Sequence, residues 1–220
     1  EKMIAYLKAF GAKHNLETKV DEAGNVLIKK PATPGKENLQ TVVLQSHIDM
    51  VCEKNNDVQH DFLTDPIETE IDGEWLKAKG TTLGADNGIG VATELAILAD
   101  DSIEHGPLEC LFTVDEETGL TGAFALQEGF MSGDILLNLD SEDEGEIFIG
   151  CAGGIDSVAE FTYKEVKVPA GYFFFKVEVK GLKGGHSGGD IHLGRGNANK
   201  ILNRFLSRMA ARHDLYLCEI

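Results

Sequence analysis

The sequence predicts an α/β fold with a mixed, largely parallel sheet flanked by helices, followed by the start of an α+β module. Three short apolar segments, 41–45, 108–114 and 135–139, show little alternation between apolar and polar residues. That pattern is typical of strands buried on both faces of a parallel sheet. Apolar residues at helical spacing predict helices over 2–14 and 87–99. Because strands and helices alternate along the chain, the layered α/β class is favoured.

Two further strands are predicted in the first part of the chain. The segment 24–30 follows a Gly-Asn turn, and the segment 71–79 surrounds Trp75. Residues 31–38 are predicted to form a loop.

The character of the sequence changes near residue 152, so we expect one domain over 1–151 and a second over 152–220. The β-β-loop-α-β order of the second domain is typical of an antiparallel α+β module. This module stops within an element, and the chain starts at Glu1 inside a predicted helix, so we expect residues missing at both ends. The predicted elements of the second domain are strands at 155–163 and 172–180, a helix at 197–212 and the start of a strand at 214–220.

The composition argues against several classes of function. Lysine and arginine number 20 against 37 aspartate and glutamate residues, a net charge of −17, and such a field repels nucleic acid phosphates and anionic membranes. No apolar stretch approaches the roughly 18 residues that span a bilayer, and no signal peptide is visible. The four cysteines form no CxxC pair, so neither a thiolate zinc site nor a redox motif is indicated.

Acidic and histidine side chains follow several of the predicted strands and precede one helix. In open α/β sheets, ligands bind outside the carboxyl ends of the strands. Four separate junctions that bring such groups to one edge form the pattern that a metal site needs. The residues at these junctions are His47, Asp49, Asp86, Glu116, Glu117 and Asp140.

Each of these junctions also has a structural interpretation. A carboxylate two residues after His47, that of Asp49, could fix the tautomer of a metal-bound imidazole, although a hydrogen-bonded structural histidine fits as well. Asp86 could bridge two cations, yet an aspartate just before a helix is most simply an N-cap.

Glu116 and Glu117 leave a strand as adjacent residues, so their side chains point in different directions. One could bind a metal while the other takes a proton from the water that the metal binds. An acidic turn is the alternative. Asp140 could be a ligand at a strand end, whereas a solvated acidic loop explains the acids at 142–144 better.

A Gly-x-Ser-x-Gly pattern surrounds Ser187, which is the nucleophile-elbow pattern of serine hydrolases. An elbow leads straight into a helix, but this segment continues into a loop-like stretch. The preceding strand also belongs to the predicted antiparallel module. The serine-hydrolase interpretation is therefore disfavoured.

The order of these motifs resembles a known family. The strings that carry the resemblance are SHIDMV, GTTLGADNGIG, EETG, NLDSEDEGE, CAGGID and KGLKGGHSGGDIHLGRGNANK. They are similar to those of the aminoacyl-histidine dipeptidases, also called peptidase D or Xaa-His dipeptidases, within the clan of two-metal aminoacylases and zinc carboxypeptidases. The resemblance is clearest over 24–205. It implies that 1–151 belongs to a catalytic domain and 152–220 to the beginning of a lid and dimerisation domain.

The resemblance implies two divalent metal ions, zinc with manganese or cobalt as alternatives. In this family, the general base that acts on the bridging water corresponds to Glu116, and Asp49 corresponds to the residue that holds the imidazole of His47. The implied metal ligands are His47, Asp86, Glu117 and Asp140, with Asp86 bridging the two ions.

Three residues of the second domain are also implied by the resemblance. His186 would stabilise the oxyanion as water attacks the peptide carbonyl. Arg195 and Asn197 lie where lid residues can meet the backbone or carboxylate of the substrate. The family has one more metal-binding histidine, which lies near its C-terminus and past residue 220, so we expect the 220-residue chain alone to have little or no activity.

The implied activity is hydrolysis of small peptides, aminoacyl-histidine dipeptides in particular, by a metal-activated water in the cytoplasm. A homodimer through the lid domain is also implied, with no nucleic acid or membrane partner. Three alternatives stay open: a related two-metal deacylase, a general dipeptidase or tripeptidase, and a non-catalytic metal-binding relative. The presence of Glu116 argues against the last, because loss of the base is the simplest route to an inactive relative.

Overall fold

The computed structural model of the protein describes residues 1–141, 145–151, 153–155, 157–185 and 190–219. The chain divides into two units, Glu1–Ile147 and Phe148–Ile220. The helices of the first unit are α1 (Lys2–Lys13), α2 (Ala85–Ala99) and α3 (Thr121–Ala125). Its strands are β1 (Glu17–Val20), β2 (Val26–Lys30), β3 (Val42–His47), β4 (Thr69–Asp72), β5 (Trp75–Ala78), β6 (Leu108–Thr113) and β7 (Ile135–Asn138).

The main sheet has five strands in the order β1-β2-β6-β3-β7. The strands β6, β3 and β7 run parallel to one another. The strands β1 and β2 extend the sheet in antiparallel fashion on the side of β6. The predicted class, a mixed sheet flanked by helices, is confirmed.

The register of the parallel strands brings their carboxyl ends to one edge. His47, the last residue of β3, pairs with Thr113 at the end of β6, and Gln45 pairs with Asn138 at the end of β7. The loops that follow β3, β6 and β7 therefore start side by side.

The core lies on both faces of this sheet, because alternate residues of a strand point to opposite faces. On one face, Val26, Ile28 and Phe112 pack in a buried cluster that also includes Leu7 of α1 and Val91 of α2. On the other face, the buried residues are Leu27, Val43 and Leu111. Burial on both faces is confirmed for the segments 41–45 and 108–114, which form the inner strands β3 and β6. It is wrong for the segment 135–139, because β7 is the edge strand and is exposed along its length.

The predicted helices are confirmed. The helix α2 covers Ala85–Ala99, but the backbone angles of Asp86 and Asn87 are not helical, so its regular part begins after Asn87, close to the predicted start of the helix over 87–99. In the second unit, α4 covers Ala198–Arg212. Asn197 caps it, since its Oδ1 accepts a hydrogen bond from the Lys200 backbone N–H at 2.9 Å. None of the described helices combines the length and the apolar character that crossing a bilayer requires.

The single strand predicted over 71–79 is wrong. The structure has a two-stranded antiparallel hairpin there, in which Asp72 pairs with Trp75 across a turn. Gly73 adopts a φ of 64° in that turn, a conformation that glycine reaches without steric cost. The Asp-Gly pair was the signal for this hairpin. The strand β1 and the short helix α3 were not predicted.

The strands predicted in the second unit are also wrong. Within its described residues, the regular elements are α4 and one turn of 3₁₀-helix over Ile191–Leu193. The described residues of 155–163, 172–180 and 214–219 form no ladder. Most of their apolar side chains are exposed to solvent, as is that of Phe173, which is 81% exposed. A strand needs a neighbour and a packed face to be stable, and the described residues of this unit supply neither.

Candidate metal centre

The residues of the candidate site come from the carboxyl ends of three parallel strands and from the start of α2. His47 ends β3, Glu116 and Glu117 follow β6, and Asp140 follows β7. Asp86 lies in the first turn of α2. The convergence that the sequence predicted is therefore present in the first unit.

The imidazole of His47 is 1% exposed and lies between carboxylates. Its Nδ1 lies 3.1 Å from the backbone oxygen of Asp49 and 3.5 Å from Oδ1 of the same residue. Its Nε2 faces Oδ1 of Asp86 at 3.0 Å and Oδ1 of Asp140 at 3.5 Å. With its proton on Nδ1, the ring donates to Asp49 and directs the lone pair of Nε2 toward the other two carboxylates.

Asp49 also holds the backbone of the acid loop, by which we mean residues 114–122. Its Oδ1 accepts a hydrogen bond from the Glu116 backbone N–H at 3.1 Å, and its Oδ2 accepts one from that of Glu117 at 3.0 Å. Both carboxylate oxygens are thus used. Asp49 links the strand end that carries the imidazole with the loop that carries the two glutamates.

The third acid of the loop, Asp115, has a structural role. Its carboxylate accepts hydrogen bonds from the hydroxyls of Thr118 and Thr121, and these bonds lower the pKa of the Asp115 carboxyl. Its backbone adopts a φ of 58°. The carboxylate of Asp115 therefore stabilises the turn. The side chains of Glu116 and Glu117, in contrast, make none of the hydrogen bonds that hold the described part of this loop together.

The start of α2 positions two of the predicted ligands. No side-chain hydrogen bond caps the described residues of this helix start, which disfavours the N-cap interpretation of Asp86. The next residue, Asn87, is buried, and its Nδ2 donates to Oδ1 of Asp140 at 2.6 Å. The peptide bond between Asp86 and Asn87 is cis. Through its hydrogen bond, Asn87 orients Asp140, while its neighbour Asp86 faces His47.

The electrostatics of the site favour a cation. Burial lowers the pKa of the His47 imidazole, but the surrounding carboxylates, with Asp140 first among them, outweigh burial and raise that pKa. Burial raises the pKa of Asp140 to about 6, and the neighbouring Asp86 adds to the shift. Burial also raises the pKa of Glu117, again with Asp86 adding to it. Like charges that converge in this way are stabilised by a positive charge among them.

The donor geometry fits a divalent metal ion. A tetrahedral zinc ion holds its nitrogen and oxygen ligands at about 2.1 Å, which places two ligand atoms about 3.4 Å apart. The distances of 3.0 Å and 3.5 Å from His47 Nε2 to Asp86 and Asp140 bracket that separation. His47, Asp86 and Glu117 each offer one ligand atom within 4.8 Å of the others. One imidazole with several carboxylates suits divalent ions such as zinc and manganese.

The substrate-binding residues that the resemblance implies belong to the second unit of the chain. His186 and Ser187 lie outside the described residues, as do the acids at 142–144. Within the second unit, Arg195 Nη1 donates to Asp190 Oδ2 at 2.7 Å and to the Gly184 backbone oxygen at 2.5 Å.

Two asparagines of the site region were missed from the sequence. Asn87 orients Asp140, and Asn25 bonds to both ends of the acid loop. The only sequence signals were the polar residue after Asp86 and the Gly-Asn turn before β2, and neither signal specifies a long-range contact.

Several known proteins similar to this chain carry the names of peptidases. A cytosol non-specific dipeptidase of Escherichia coli (strain K12) is 55% identical over 219 residues, which is 100% of this chain and 45% of the relative. The crystal structure of an aminoacylhistidine dipeptidase from Vibrio alginolyticus matches with a TM-score of 0.69 and 51% identity over 100% of this chain and 45% of that one. A tripeptidase structure from Staphylococcus aureus matches with a TM-score of 0.52 and 25% identity over 62% of this chain and 37% of that one.

The chain therefore spans less than half the length of these relatives. The resemblance to the aminoacyl-histidine dipeptidases, predicted from the motif strings, is confirmed by the first two matches. The model of a peptidase family also matches residues 43–189, the stretch that carries His47, Asp86, Glu117 and Asp140. The chain belongs to peptidase family M20/M25/M40, a family of metal-dependent peptidases.

Proposed function

We propose that the full-length protein hydrolyses the peptide bond of dipeptides, aminoacyl-histidine dipeptides in particular, with two zinc ions at the candidate metal centre. The convergence of His47, Asp86 and Glu117 at the carboxyl edge of the sheet carries this proposal. The names of the Escherichia coli and Vibrio alginolyticus relatives support dipeptides as the substrate class.

Each ligand has its own position in the proposed centre. His47 and Asp140 would hold one ion, Glu117 would hold the other, and Asp86 would contribute to both. The approach of Nε2 of His47 to Asp140 and to Asp86 supports placing these three residues around one ion. The ions, when bound, lower the pKa of water to about 7 and polarise the peptide carbonyl.

In this proposal, Glu116 carries out the proton transfer. Its carboxylate accepts the proton of the attacking water and returns it to the nitrogen of the leaving amine. Asp49 holds the backbone of Glu116 in place. The same aspartate keeps the proton of His47 on Nδ1, away from the metal-facing nitrogen.

The remaining roles rest on the family resemblance alone. We assign oxyanion stabilisation to His186 and contacts with the substrate to Arg195 and Asn197. We further propose a homodimer formed through the lid domain, a location in the cytoplasm and no nucleic acid or membrane partner. The word cytosol in the name of the Escherichia coli relative supports the location.

A broader peptidase activity is the second candidate. The Escherichia coli relative is named a non-specific dipeptidase, and the Staphylococcus aureus structure is a tripeptidase. Both names are compatible with the same metal centre, so the centre does not select the substrate. A panel of dipeptides and tripeptides, with and without a C-terminal histidine, separates the two candidates by their kcat/KM values.

The test of the proposed function is hydrolysis of β-alanyl-histidine and other aminoacyl-histidine dipeptides by the full-length protein. Activity should disappear on chelation and return when zinc is added. Hydrolysis that ignores the chelator would refute the metal mechanism and revive Ser187 as a nucleophile. No hydrolysis with any divalent metal would instead favour a deacylase or a non-catalytic relative.

A further inference from the structure

Asn25 lies just before β2, and its side chain is completely buried. It makes three side-chain hydrogen bonds. Its Nδ2 donates to Oδ2 of Asp21 at 2.7 Å and to the Gly122 backbone oxygen at 2.8 Å. Its Oδ1 accepts from the Val114 backbone N–H at 3.1 Å. One side chain is therefore bonded to residues 89 and 97 positions away in the sequence.

These two distant partners are the first and last residues of the acid loop. Between them lie Glu116 and Glu117, the proposed base and the proposed ligand. A second side chain from outside this loop, that of Asp49, bonds to the backbone N–H groups of the two glutamates. Asn25 thus fixes the ends of the loop, and Asp49 fixes its middle.

The orientation of the Asn25 amide is determined by its partners. The Asp21 carboxylate and the Gly122 carbonyl are acceptors, whereas the Val114 N–H is a donor. Only one of the two amide orientations satisfies all three. Asp21 is itself held, because its Oδ1 accepts from the backbone N–H groups of Gly24 and Asn25, each at 2.8 Å.

The contact at the end of the loop leaves no space for a side chain. A Cβ added at Gly122 would lie 2.3 Å from the backbone oxygen of Val114 and 2.6 Å from Oδ1 of Asn25. The two ends of the loop and the amide are in direct contact, and glycine permits this approach. A side chain at Gly122 must therefore move the loop, whereas loss of the Asn25 amide removes the hydrogen bonds that join its two ends.

We propose that Asn25 is a positioning residue that joins the two ends of the acid loop and thereby sets where Glu116 and Glu117 stand in the metal site. The inference rests on the proposed function for its catalytic consequence. Its structural consequence, that the loop loses its fixed conformation without Asn25, does not depend on that function. Partners that orient metal ligands contribute roughly ten- to a hundredfold to metal affinity or activity.

The matched control is Thr33→Ala. The Thr33 hydroxyl also joins distant backbone, donating to the His105 oxygen at 3.1 Å and accepting from the His105 N–H at 3.2 Å. Because Lys30 pairs with Leu108 at the start of β6, this contact lies at the end of the sheet opposite the acid loop. Thr33→Ala therefore removes two side-chain hydrogen bonds to distant backbone, keeps the bond from the Thr33 backbone N–H to the His105 oxygen, and leaves the site untouched.

The experiment compares Asn25→Ala and Thr33→Ala with the wild type in the full-length protein. Amide hydrogen exchange is followed by mass spectrometry in peptides covering 115–121, zinc affinity by competition with a chelator, and kcat and KM with a dipeptide at saturating zinc. In the Asn25→Ala variant, the amide hydrogens of those peptides should exchange faster. The variant should also bind zinc more weakly by roughly tenfold or more, and its kcat should be lower by a similar factor with KM little changed. Thr33→Ala should change none of the three.

Gly122→Ala serves as the second variant and decides the outcome if Asn25→Ala does not fold. It disturbs the same contact from the side of the loop and should give the same three effects. Unchanged exchange in 115–121 together with unchanged zinc affinity would overturn the proposal. A wild-type protein that hydrolyses no dipeptide would refute the proposed function. The hydrogen-exchange and zinc-affinity measurements would still test whether Asn25 positions the acid loop.

Discussion

Asp49 holds the backbone of Glu116 through a hydrogen bond of 3.1 Å from the Glu116 N–H to its Oδ1. The second carboxylate oxygen of Asp49 is occupied by the backbone N–H of Glu117. The backbone oxygen of Asp49 meanwhile faces Nδ1 of His47. One residue therefore sets the position of the proposed base, of one proposed ligand and of the imidazole of another.

The first prediction concerns Asp49→Asn in the full-length protein. An amide has only one acceptor oxygen, so its NH₂ group must face the N–H of either Glu116 or Glu117. We expect kcat and zinc affinity to fall by roughly ten- to a hundredfold. Steady-state kinetics and chelator competition measure both. Asp57→Asn, at an exposed position, is the charge-matched control and should behave as the wild type; similar values for both variants would contradict the role of Asp49.

The second prediction concerns Glu116→Gln. The substitution keeps the shape of the side chain but removes its capacity to take up a proton. We expect kcat to fall by roughly 10²- to 10⁴-fold, the usual contribution of a general base. Zinc content, measured by atomic absorption, should stay that of the wild type, because Glu116 is not a proposed ligand. The exposed Glu128 offers the control Glu128→Gln, and a Glu116→Gln enzyme that keeps wild-type kcat would remove Glu116 from the mechanism.

The convergence of His47, Asp86 and Glu117 could be predicted from sequence for a physical reason. Unalternating apolar segments indicate parallel strands buried on both faces, and parallel strands place their carboxyl ends at one edge. The residue types at those ends then suffice to predict a metal site. No knowledge of the register was needed for that step.

The contributions of Asn25 and Asn87 could not be predicted in this way. Each acts through hydrogen bonds to residues more than 50 positions away, and such pairings depend on the register of the strands. The hairpin at Gly73 was missed because an Asp-Gly turn was merged into one strand. The prediction of strands around Phe173 was wrong for another reason. A segment with this apolar pattern needs partner strands, and the described residues do not provide them.

The third prediction concerns the pH dependence of stability and Glu94. This residue of α2 is completely buried. Burial raises the pKa of its carboxyl from 4.5 to about 8, and the neighbouring Ser46 and Cys110 offset the shift only in part. As the pH rises above 4.5, the unfolded protein releases this proton while the folded protein retains it up to about pH 8. The free energy of unfolding therefore falls across this window and changes no further above it.

Glu94→Gln removes this proton and isolates its effect. Between about pH 5 and pH 8, we expect the stability of the variant relative to the wild type to increase by on the order of 1.4 kcal/mol for each pH unit. Urea denaturation of both proteins at three pH values in this range measures the difference. Stability curves that run parallel would show that Glu94 is already ionised in the folded protein.

The fourth prediction concerns the two glycines that follow Asn87 in α2. A Cβ added at Gly90 would lie 1.9 Å from Oδ1 of Asn87 and 3.0 Å from Cβ of Ser46, whereas one added at Gly88 would meet nothing within 4 Å. Gly90→Ala must displace the amide that holds Asp140. We expect it to weaken zinc binding and to lower kcat by roughly tenfold or more.

Gly88→Ala provides the matched control, since it makes the same chemical change two residues away in the same helix. In a helix interior, alanine is favoured over glycine by about 0.8–1.0 kcal/mol, and Gly88 lies at the start of the regular part of α2. We therefore expect Gly88→Ala to raise the free energy of unfolding by up to about that amount and to leave zinc affinity and kcat unchanged. Zinc competition and urea denaturation of both variants in the full-length protein supply the comparison. If Gly90→Ala bound zinc as tightly as Gly88→Ala does, the contact between Asn87 and Asp140 would have no part in forming the site.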